Sequence, residues 1–358
     1  MKKAAKKPFR SAIVGCRMGG GHAQVMAGIE DYQMVAICDL NGELARETAA
    51  KYPGAKAYTD LTTMLKAEQL DVVAIATPND SHARLTIQVA EAGVKGICCE
   101  KPMSVSLGEA KAMVAACKKN GVSLIVNHQR RMSGPMVRMR ELIAEGALGD
   151  VYLIRATNAG DVLSDGTHAV DSVRWLAGDQ EVKWVLAQVY RNEPPAGEPK
   201  APGYHTSGGY RYGHMVETGA MAVFEFASGL RAEVLTGEMR FPGRQYQDYE
   251  VIGTKGRLWR QGDRGEPPVQ IRDEQGGGWR TMPLPESYKA RSDMVESYRA
   301  FVGMMRDGSP HPLSGDSALK DQEIVMAIYE SARTHARIDL PLKQDAFPLV
   351  LMVGEAGA

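Results

Sequence analysis

Up to residue 127, short unbroken apolar runs alternate with segments whose apolar residues recur at helical spacing. Residues 11–14, 33–38, 72–76, 96–99 and 123–126 form runs of strand length. Between them, Leu85, Val89 and Ala92 fall on one helical stripe that Gly93 ends, and Ser106-Leu107-Gly108-Glu109 opens another with a capping-box pattern. Continuous apolar strands separated by helices predict a parallel sheet covered on both faces, a doubly wound nucleotide-binding domain.

Beyond residue 180 the rhythm changes. Residues 182–190, 216–226, 230–238 and 248–252 read as strands joined by turn signals such as Ser228-Gly229, with no helix between them. This pattern predicts a large, mostly antiparallel open sheet, whose uncovered face must meet water or a second subunit. Helical spacing returns at 294–306 and 316–336, and the Pro-, Gly- and Tyr-rich stretch 192–212 reads as a long loop. The expected class is α/β, with a nucleotide-binding domain at 8–127 and a second α/β domain at 128–345.

Composition narrows the chemistry. With 358 residues the chain is long enough for two cores. Its 43 Lys and Arg balance 43 Asp and Glu, which argues against an electrostatic grip on nucleic acid or an anionic membrane. The lysine-rich stretch 1–7 is not followed by a hydrophobic segment, so a non-exported, cytoplasmic protein is expected. The five cysteines (Cys16, Cys38, Cys98, Cys99, Cys117) lack metal-type spacing, and we expect reduced core thiols and no metal.

Candidate chemistry gathers where the predicted strands end. The turn Gly15-Cys16-Arg17-Met18-Gly19-Gly20-Gly21 follows the first run, and Asp39 ends the second. In a dinucleotide fold such a turn brings backbone amides to a pyrophosphate at a helix N-terminus, while the acid accepts from ribose hydroxyls. No arginine immediately follows Asp39, so NAD is favoured over NADP. A strict G-x-G-x-x-G frame would place Arg17 at the second glycine, and a turn shortened by one residue keeps Gly15, Gly19 and Gly21. Thr77-Pro78-Asn79 with His82, and Glu100-Lys101-Pro102, follow two later runs. These motifs converge on the carboxyl edge of one sheet, where open parallel sheets bind ligands. Taken singly, Thr77-Pro78-Asn79 also suits a capped turn, His82 a backbone-bonded histidine and Lys101 a solvated lysine.

The chain resembles the glucose-fructose oxidoreductase, inositol dehydrogenase and MocA (Gfo/Idh/MocA) family over nearly its whole length. The resemblance is carried by the Gly15 turn with His22, Thr77-Pro78-Asn79 with His82, Glu100-Lys101-Pro102, Asn127-His128-Gln129-Arg130-Arg131, Gly166-Thr167-His168-Ala169-Val170-Asp171 with Trp175-Leu176, Gly253-Thr254-Lys255-Gly256, and Ser331-Ala332-Arg333 with Leu340-Pro341-Leu342. It implies a Rossmann domain, a C-terminal α/β domain, and dimers or tetramers built through the open sheet. It also implies hydride transfer between nicotinamide and a secondary alcohol or ketone of a sugar, cyclitol or related polyol. Lys101 would bond to the reacting oxygen and His168 would be the general acid/base. Gly15, Arg17, Met18, Gly19, Asp39, Thr77, Pro78, Asn79, His82, Glu100 and Lys101 would hold the cofactor.

Local physics bears on these roles. If Thr167 caps the next helix, His168 sits in its first turn, where the helix dipole favours neutral imidazole. Asp171 and Trp175 then share its face, and Asp171 supports the ring or caps a local network. One departure stands out: many relatives carry an aspartate four residues before this histidine, where this chain has Ser164 and the aspartate is displaced to Asp165. Asp165 or Asp161 substitutes, or proton transfer uses Lys101 and His168 alone, or the enzyme uses altered chemistry. Arg131, Ser164, Tyr204, Tyr210 and Tyr212 are substrate-contact candidates, and the tyrosine-rich segment equally suits a surface loop or a subunit contact. Arg131 equally suits a salt bridge between domains. Two further readings stay open: an NAD-recycling, glycoside-cleaving enzyme of the same family, and a non-catalytic NAD-binding regulatory protein.

Overall fold

The computed structural model describes residues 7–191, 209–239, 246–262, 268–273, 277–289 and 291–356. Contacts divide the chain into two compact units. The first holds residues up to Ser104, Glu109–Gln129 and Ser292–Leu319; the second holds Val105–Gly108, Arg130–Arg291 and the remainder from Lys320. Besides the expected division near residue 128, therefore, a returning segment, 292–319, groups with the first unit.

The first unit opens with β1 (Phe9–Val14), α1 (Cys16–Ala27), β2 (Tyr32–Cys38), α2 (Gly42–Ala49), β3 (Lys56–Tyr58) and α3 (Leu61–Ala67). It continues through β4 (Val72–Ile75), α4 (His82–Glu91), β5 (Gly96–Cys99), α5 (Leu107–Lys119) and β6 (Ser123–Val126). All six strands run parallel in the order β3-β2-β1-β4-β5-β6. That order reverses between β1 and β4, which opens the crevice where this fold binds dinucleotides. The central strands are apolar on both faces because helices cover both. On one side Val14, Val73, Ile75 and Cys99 pack with Leu85, Val89 and Met113 of α4 and α5. Strand β3 had no sequence signal: it is three residues long, half exposed and at the edge, so no apolar run is needed to form it.

The second unit contributes α6 (Gly134–Ala144), β7 (Val151–Asn158), α7 (Thr167–Leu176) and β8 (Val182–Tyr190). A two-stranded hairpin, β9 (Tyr210–Arg211) with β10 (His214–Met215), follows. Then come β11 (Gly219–Phe226), β12 (Arg231–Gly237), β13 (Gln247–Gly253), β14 (Gly256–Arg260), β15 (Gln270–Asp273), β16 (Arg280–Thr281) and the short α8 (Glu286–Lys289). The chain closes with α9 (Asp293–Asp307), α10 (Gly315–Thr334), β17 (Ile338–Asp339) and α11 (Pro348–Ala356). Nine strands form one sheet, β16-β15-β14-β13-β7-β12-β11-β8-β17, antiparallel throughout except for the pair β7 and β12. Strand β7, absent from the sequence reading, lies near its middle: its apolar run, 151–154, is followed at once by the exposed Arg155 and by Thr157 and Asn158.

The strands of this sheet bury alternate residues, as a sheet covered on one face must. Ile154, Ala156, Ala220, Ala222, Phe224, Ala232 and Val234 are buried, and α7 lies against β7 and β12. The opposite face presents Leu186 and Met221, both largely exposed, and the cross-strand ion pair Arg155–Glu233 at 2.7 Å.

Candidate cofactor and active site

The first unit gathers its candidate residues on the loops that leave the carboxyl ends of its strands. Gly15 joins β1 to α1 at φ +89°, a conformation only glycine adopts freely, and a Cβ there would lie 2.5 Å from the Ala76 carbonyl oxygen. Gly19 lies against Ile13, so α1 seats close on β1. Gly15, the residue before α1, offers no side chain to cap it, and a helix N-terminus is where this fold places a pyrophosphate. Asp39 faces the same turn: its carboxylate accepts from Cys16 N at 2.7 Å and Asn41 N at 2.8 Å. Arg17 and Met18 are exposed on the first turn of α1, and Leu40, beside Asp39, is fully exposed. A close-approach glycine at a strand-to-helix turn and an acid at the end of β2 fit the pyrophosphate and ribose of NAD.

Thr77 and Pro78 leave β4, and Asn79–Ser81 form a single tight turn before His82 starts α4. Thr77 Oγ1 and Ser81 Oγ are 2.6 Å apart. Buried His82 ties two loops together: Nδ1 lies 2.8 Å from the Pro102 carbonyl and Nε2 2.9 Å from the Thr77 carbonyl. Burial pushes its pKa down, against the pull of both carbonyls. The backbone-bonded reading of His82 is the geometry observed.

Lys101 is pinned from both sides. Before it, Glu100 N donates to Ile75 O at 2.8 Å; its own N donates to Glu100 Oε2 at 3.1 Å; after it, the Pro102 carbonyl meets His82. The bond between Lys101 and Pro102 is cis. Glu100 does not point outward as a cofactor ligand would. Its buried carboxylate meets His22 Nε2 and accepts from Asn127 Nδ2, each at 2.7 Å, and His22 Nδ1 meets Tyr298 Oη at 2.7 Å. Burial opposes both charges, yet neighbours overcome it: Cys98 and then Glu100 hold His22 up at about 10, and His22, Lys101 and Asn127 hold Glu100 down at about 2. The residue before the lysine is thus an internal anchor.

The second unit carries His168, and here the local structure departs from expectation. Thr167 does not cap α7. A π-helical turn, Val162–Gly166, runs straight into the helix, and the cap is Asp161, whose side chain accepts from Ser164 N at 2.6 Å. His168 therefore lies past the helix start, and the dipole argument moves to the preceding turn. Three consecutive amides there are held by buried side chains: Val162 N by Glu217 at 2.6 Å, Leu163 N by Tyr329 Oη at 3.2 Å, and Ser164 N by Asp161. Tyr329 also donates to Glu217 at 2.7 Å. Burial and the neighbouring Asp161 push the Glu217 carboxyl up to about 7, against those two hydrogen bonds.

Asp165, the candidate stand-in for the displaced aspartate, is taken by other partners. Arg211 of β9 pairs with both Asp165 and Asp161, and Tyr246 Oη donates to Asp165 at 2.6 Å. Ser164 Oγ instead lies 3.1 Å from His214 Nε2. Asp171 accepts from Arg131 Nε at 2.6 Å, and burial, opposed by Arg131 and reinforced by Asp321, raises its carboxyl well above the usual range. Arg131 itself is buried, with a second bond to Asp179 at 2.5 Å, and stacks toward Trp175. That arginine is the centre of an ion-pair network, and of its two sequence readings the salt bridge is the geometry observed, with partners within its own unit. Tyr210 and Tyr212 are half buried on the β9–β10 hairpin, and Tyr204 lies outside the described residues. The sequence reading passed over Glu217 and Tyr329. The available signal was an acid, Glu217, standing in an otherwise apolar run.

Comparison with known proteins gives the family. Residues 9–128 match the description "Oxidoreductase family, NAD-binding Rossmann fold", and residues 140–340 match "Oxidoreductase family, C-terminal alpha/beta domain". The chain is 29% identical to D-apiose dehydrogenase of Paraburkholderia graminis, covering 96% of this chain and 93% of that protein. It is 28% identical to myo-inositol 2-dehydrogenase of Thermotoga maritima, over 86% of this chain and 91% of the other. Among solved structures, GenD2 of gentamicin A biosynthesis, crystallised with NAD, superposes with a TM-score of 0.75 at 25% identity, covering 95% of this chain and 98% of its own. The two matched segments span both units, and the chain belongs to the Gfo/Idh/MocA oxidoreductase family, with an NAD-binding Rossmann domain.

Proposed function

We propose that the protein oxidises a secondary alcohol of a sugar, sugar derivative or cyclitol with NAD, or reduces the corresponding ketone. The observation that carries this reading is the Lys101 loop, whose backbone is fixed before, at and after the lysine by groups on the same sheet edge as the nucleotide turn. Similarity to dehydrogenases of D-apiose and myo-inositol supports the substrate class.

NAD, when bound, supplies the hydride acceptor. Gly15, the first turn of α1 and Asp39 hold its pyrophosphate and ribose, and Thr77, Pro78 and Asn79 line the next strand end. Lys101 donates to the reacting oxygen and keeps its geometry fixed as the carbon becomes trigonal. His168 accepts the hydroxyl proton during oxidation and returns it during reduction. Asp165, neutralised by Arg211, takes no part in that transfer. The half-exposed apolar face of the nine-stranded sheet pairs subunits into a homodimer or homotetramer. Five buried, unbridged cysteines suit a reducing cytoplasm, and no described helix is long and apolar enough to cross a membrane.

A screen of sugars, sugar acids, cyclitols and glycosides with NAD and NADP, following NADH absorbance and product mass, tests the reading. Lys101→Ala and His168→Ala are expected to lower kcat by about 10²–10⁴ while thermal midpoints stay near wild type. Full turnover by the double variant overturns both assignments. Product release without net NADH would instead favour the cofactor-recycling alternative.

A further inference from the structure

Three buried side chains of the first unit form a hydrogen-bonded chain that ends at the lysine loop. Tyr298 Oη of α9 lies 2.7 Å from His22 Nδ1 of α1, and His22 Nε2 lies 2.7 Å from Glu100 Oε1. Glu100 in turn accepts from Asn127 Nδ2 at 2.7 Å and, through Oε2, from Lys101 N at 3.1 Å. His22 and Tyr298 are 1% and 0% exposed, so bulk water reaches neither.

Proton counting gives the directions. The Glu100 carboxylate only accepts, so His22 Nε2 carries a proton. Against burial, His22 is held up at about 10, so at neutral pH Nδ1 carries a proton as well and the Tyr298 oxygen accepts from it. The phenol proton is then directed to Cys98 of β5, which bonds to both side chains. A buried imidazolium with one N–H unmet is strongly disfavoured and sheds that proton. Tyr298 supplies the missing acceptor. Its own place is fixed by Tyr32, whose Oη donates to the Tyr298 carbonyl at 2.7 Å and whose ring meets it edge to face at 5.7 Å.

The charge on His22 matters because Glu100 answers to two cations, His22 and Lys101. With His22 neutral, Lys101 would be left as the sole cation of the two, and a buried carboxylate holds a nearby ammonium strongly. An ammonium held there is withdrawn from a substrate oxygen.

We propose that Tyr298 is a positioning residue of the active site: by accepting from His22 it keeps that ring charged, His22 cancels Glu100, and Lys101 is left to the reacting oxygen. This rests on the dehydrogenase reading above, in which Lys101 donates to that oxygen. The chain holds its protons and passes none to substrate, so no further reactant is needed. The titratable groups that face His22 and Tyr298 are Glu100 and Cys98 on β5 and the loop after it, with Lys101 beside Glu100, and Tyr32 on β2.

The test uses the full-length enzyme. Nitrogen NMR is expected to show His22 of wild type protonated on both ring nitrogens at about pH 7, with the signal assigned by its loss in His22→Gln. In Tyr298→Phe the midpoint of that titration is expected to fall by about 1–2 pH units, because a hydrogen bond from a charged donor is lost. With NAD and D-glucose, methyl β-D-glucoside or myo-inositol, the alkaline fall of kcat is expected to move down by the same interval, while KM for NAD changes by less than about twofold. His22→Gln keeps both hydrogen bonds without the charge. Its kcat is expected to lie about tenfold or more below wild type at neutral pH, and adding Tyr298→Phe to it changes kcat by less than about threefold. A Tyr298 that only supports the fold would lower the thermal midpoint and leave the alkaline limb in place. That outcome, or a wild-type His22 carrying a single ring proton at neutral pH, overturns the proposal. If no compound of the screen is oxidised, the function assigned above fails, and the His22 titration still decides whether Tyr298 keeps the ring charged.

Discussion

Two buried glutamates, one in each unit, reach opposite ends of the carboxyl range. Glu100 faces a protonated histidine and two amide donors, Asn127 Nδ2 and Lys101 N, and sits near 2. Glu217 faces another acid, Asp161, with hydrogen bonds but no cation among its described partners, and sits near 7. Burial alone raises both; the partner decides the sign. The lysine loop is thus built on a charge pair that persists across neutral pH, and the turn before His168 on a carboxyl that titrates within it.

Removing His22 should break this contrast most severely. In His22→Leu, Glu100 loses the buried cation it is bonded to, and breaking a buried pair from one side costs about 3–5 kcal/mol. Urea unfolding is the measurement, and a loss under about 1 kcal/mol would show that the pair does not support the loop.

Glu217 gives the next largest effect and the opposite pH dependence. Its folded-state value lies above the unfolded one, so its contribution to stability is full below about pH 4.5 and is lost as pH rises through 7. The loss is on the order of 3 kcal/mol. Glu217→Gln should flatten stability between pH 5 and 8 and make the protein more stable than wild type at pH 8. For Glu100 the sign reverses, with stability present above pH 4.5 and lost as pH falls toward 2. His22 adds stability below pH 6.5 that fades as pH rises through 10. A wild-type profile without a fall near pH 7 would sink the Glu217 assignment.

Gly15→Ala comes third. The new Cβ meets the Ala76 carbonyl at 2.5 Å and the positive φ is strained, for about 1–3 kcal/mol. NAD affinity, measured by calorimetry, should fall with it. Smallest is Arg155→Ala on the open sheet face: the exposed pair with Glu233 should yield less than about 1 kcal/mol, so a larger change would point to a subunit contact there.

The strands of the first unit other than β3 were legible because parallel strands buried on both faces must be apolar throughout. Its site motifs were legible because strand ends place them. Strand β7 was passed over, because its four apolar residues, 151–154, give way to Arg155 and polar positions as a strand covered on one face allows. The role of Glu100 was also hidden and that of Arg131 open between a ligand and a salt bridge; only the positions of His22, Asn127, Asp171 and Asp179 show what they face.

The sequence by itself determined the two-part α/β organisation, the glycine turn with its acid at the end of β2, the Glu-Lys-Pro element and the family. These rest on local rules of periodicity, backbone freedom and spacing. Tertiary structure decided which charges are internal anchors, that the positive end of the His168 helix lies at Val162 to Ser164, and that Ser164 faces His214 while Asp165 is bound by Arg211. Each depends on residues distant in sequence meeting in a buried place, where low polarity makes every partner count.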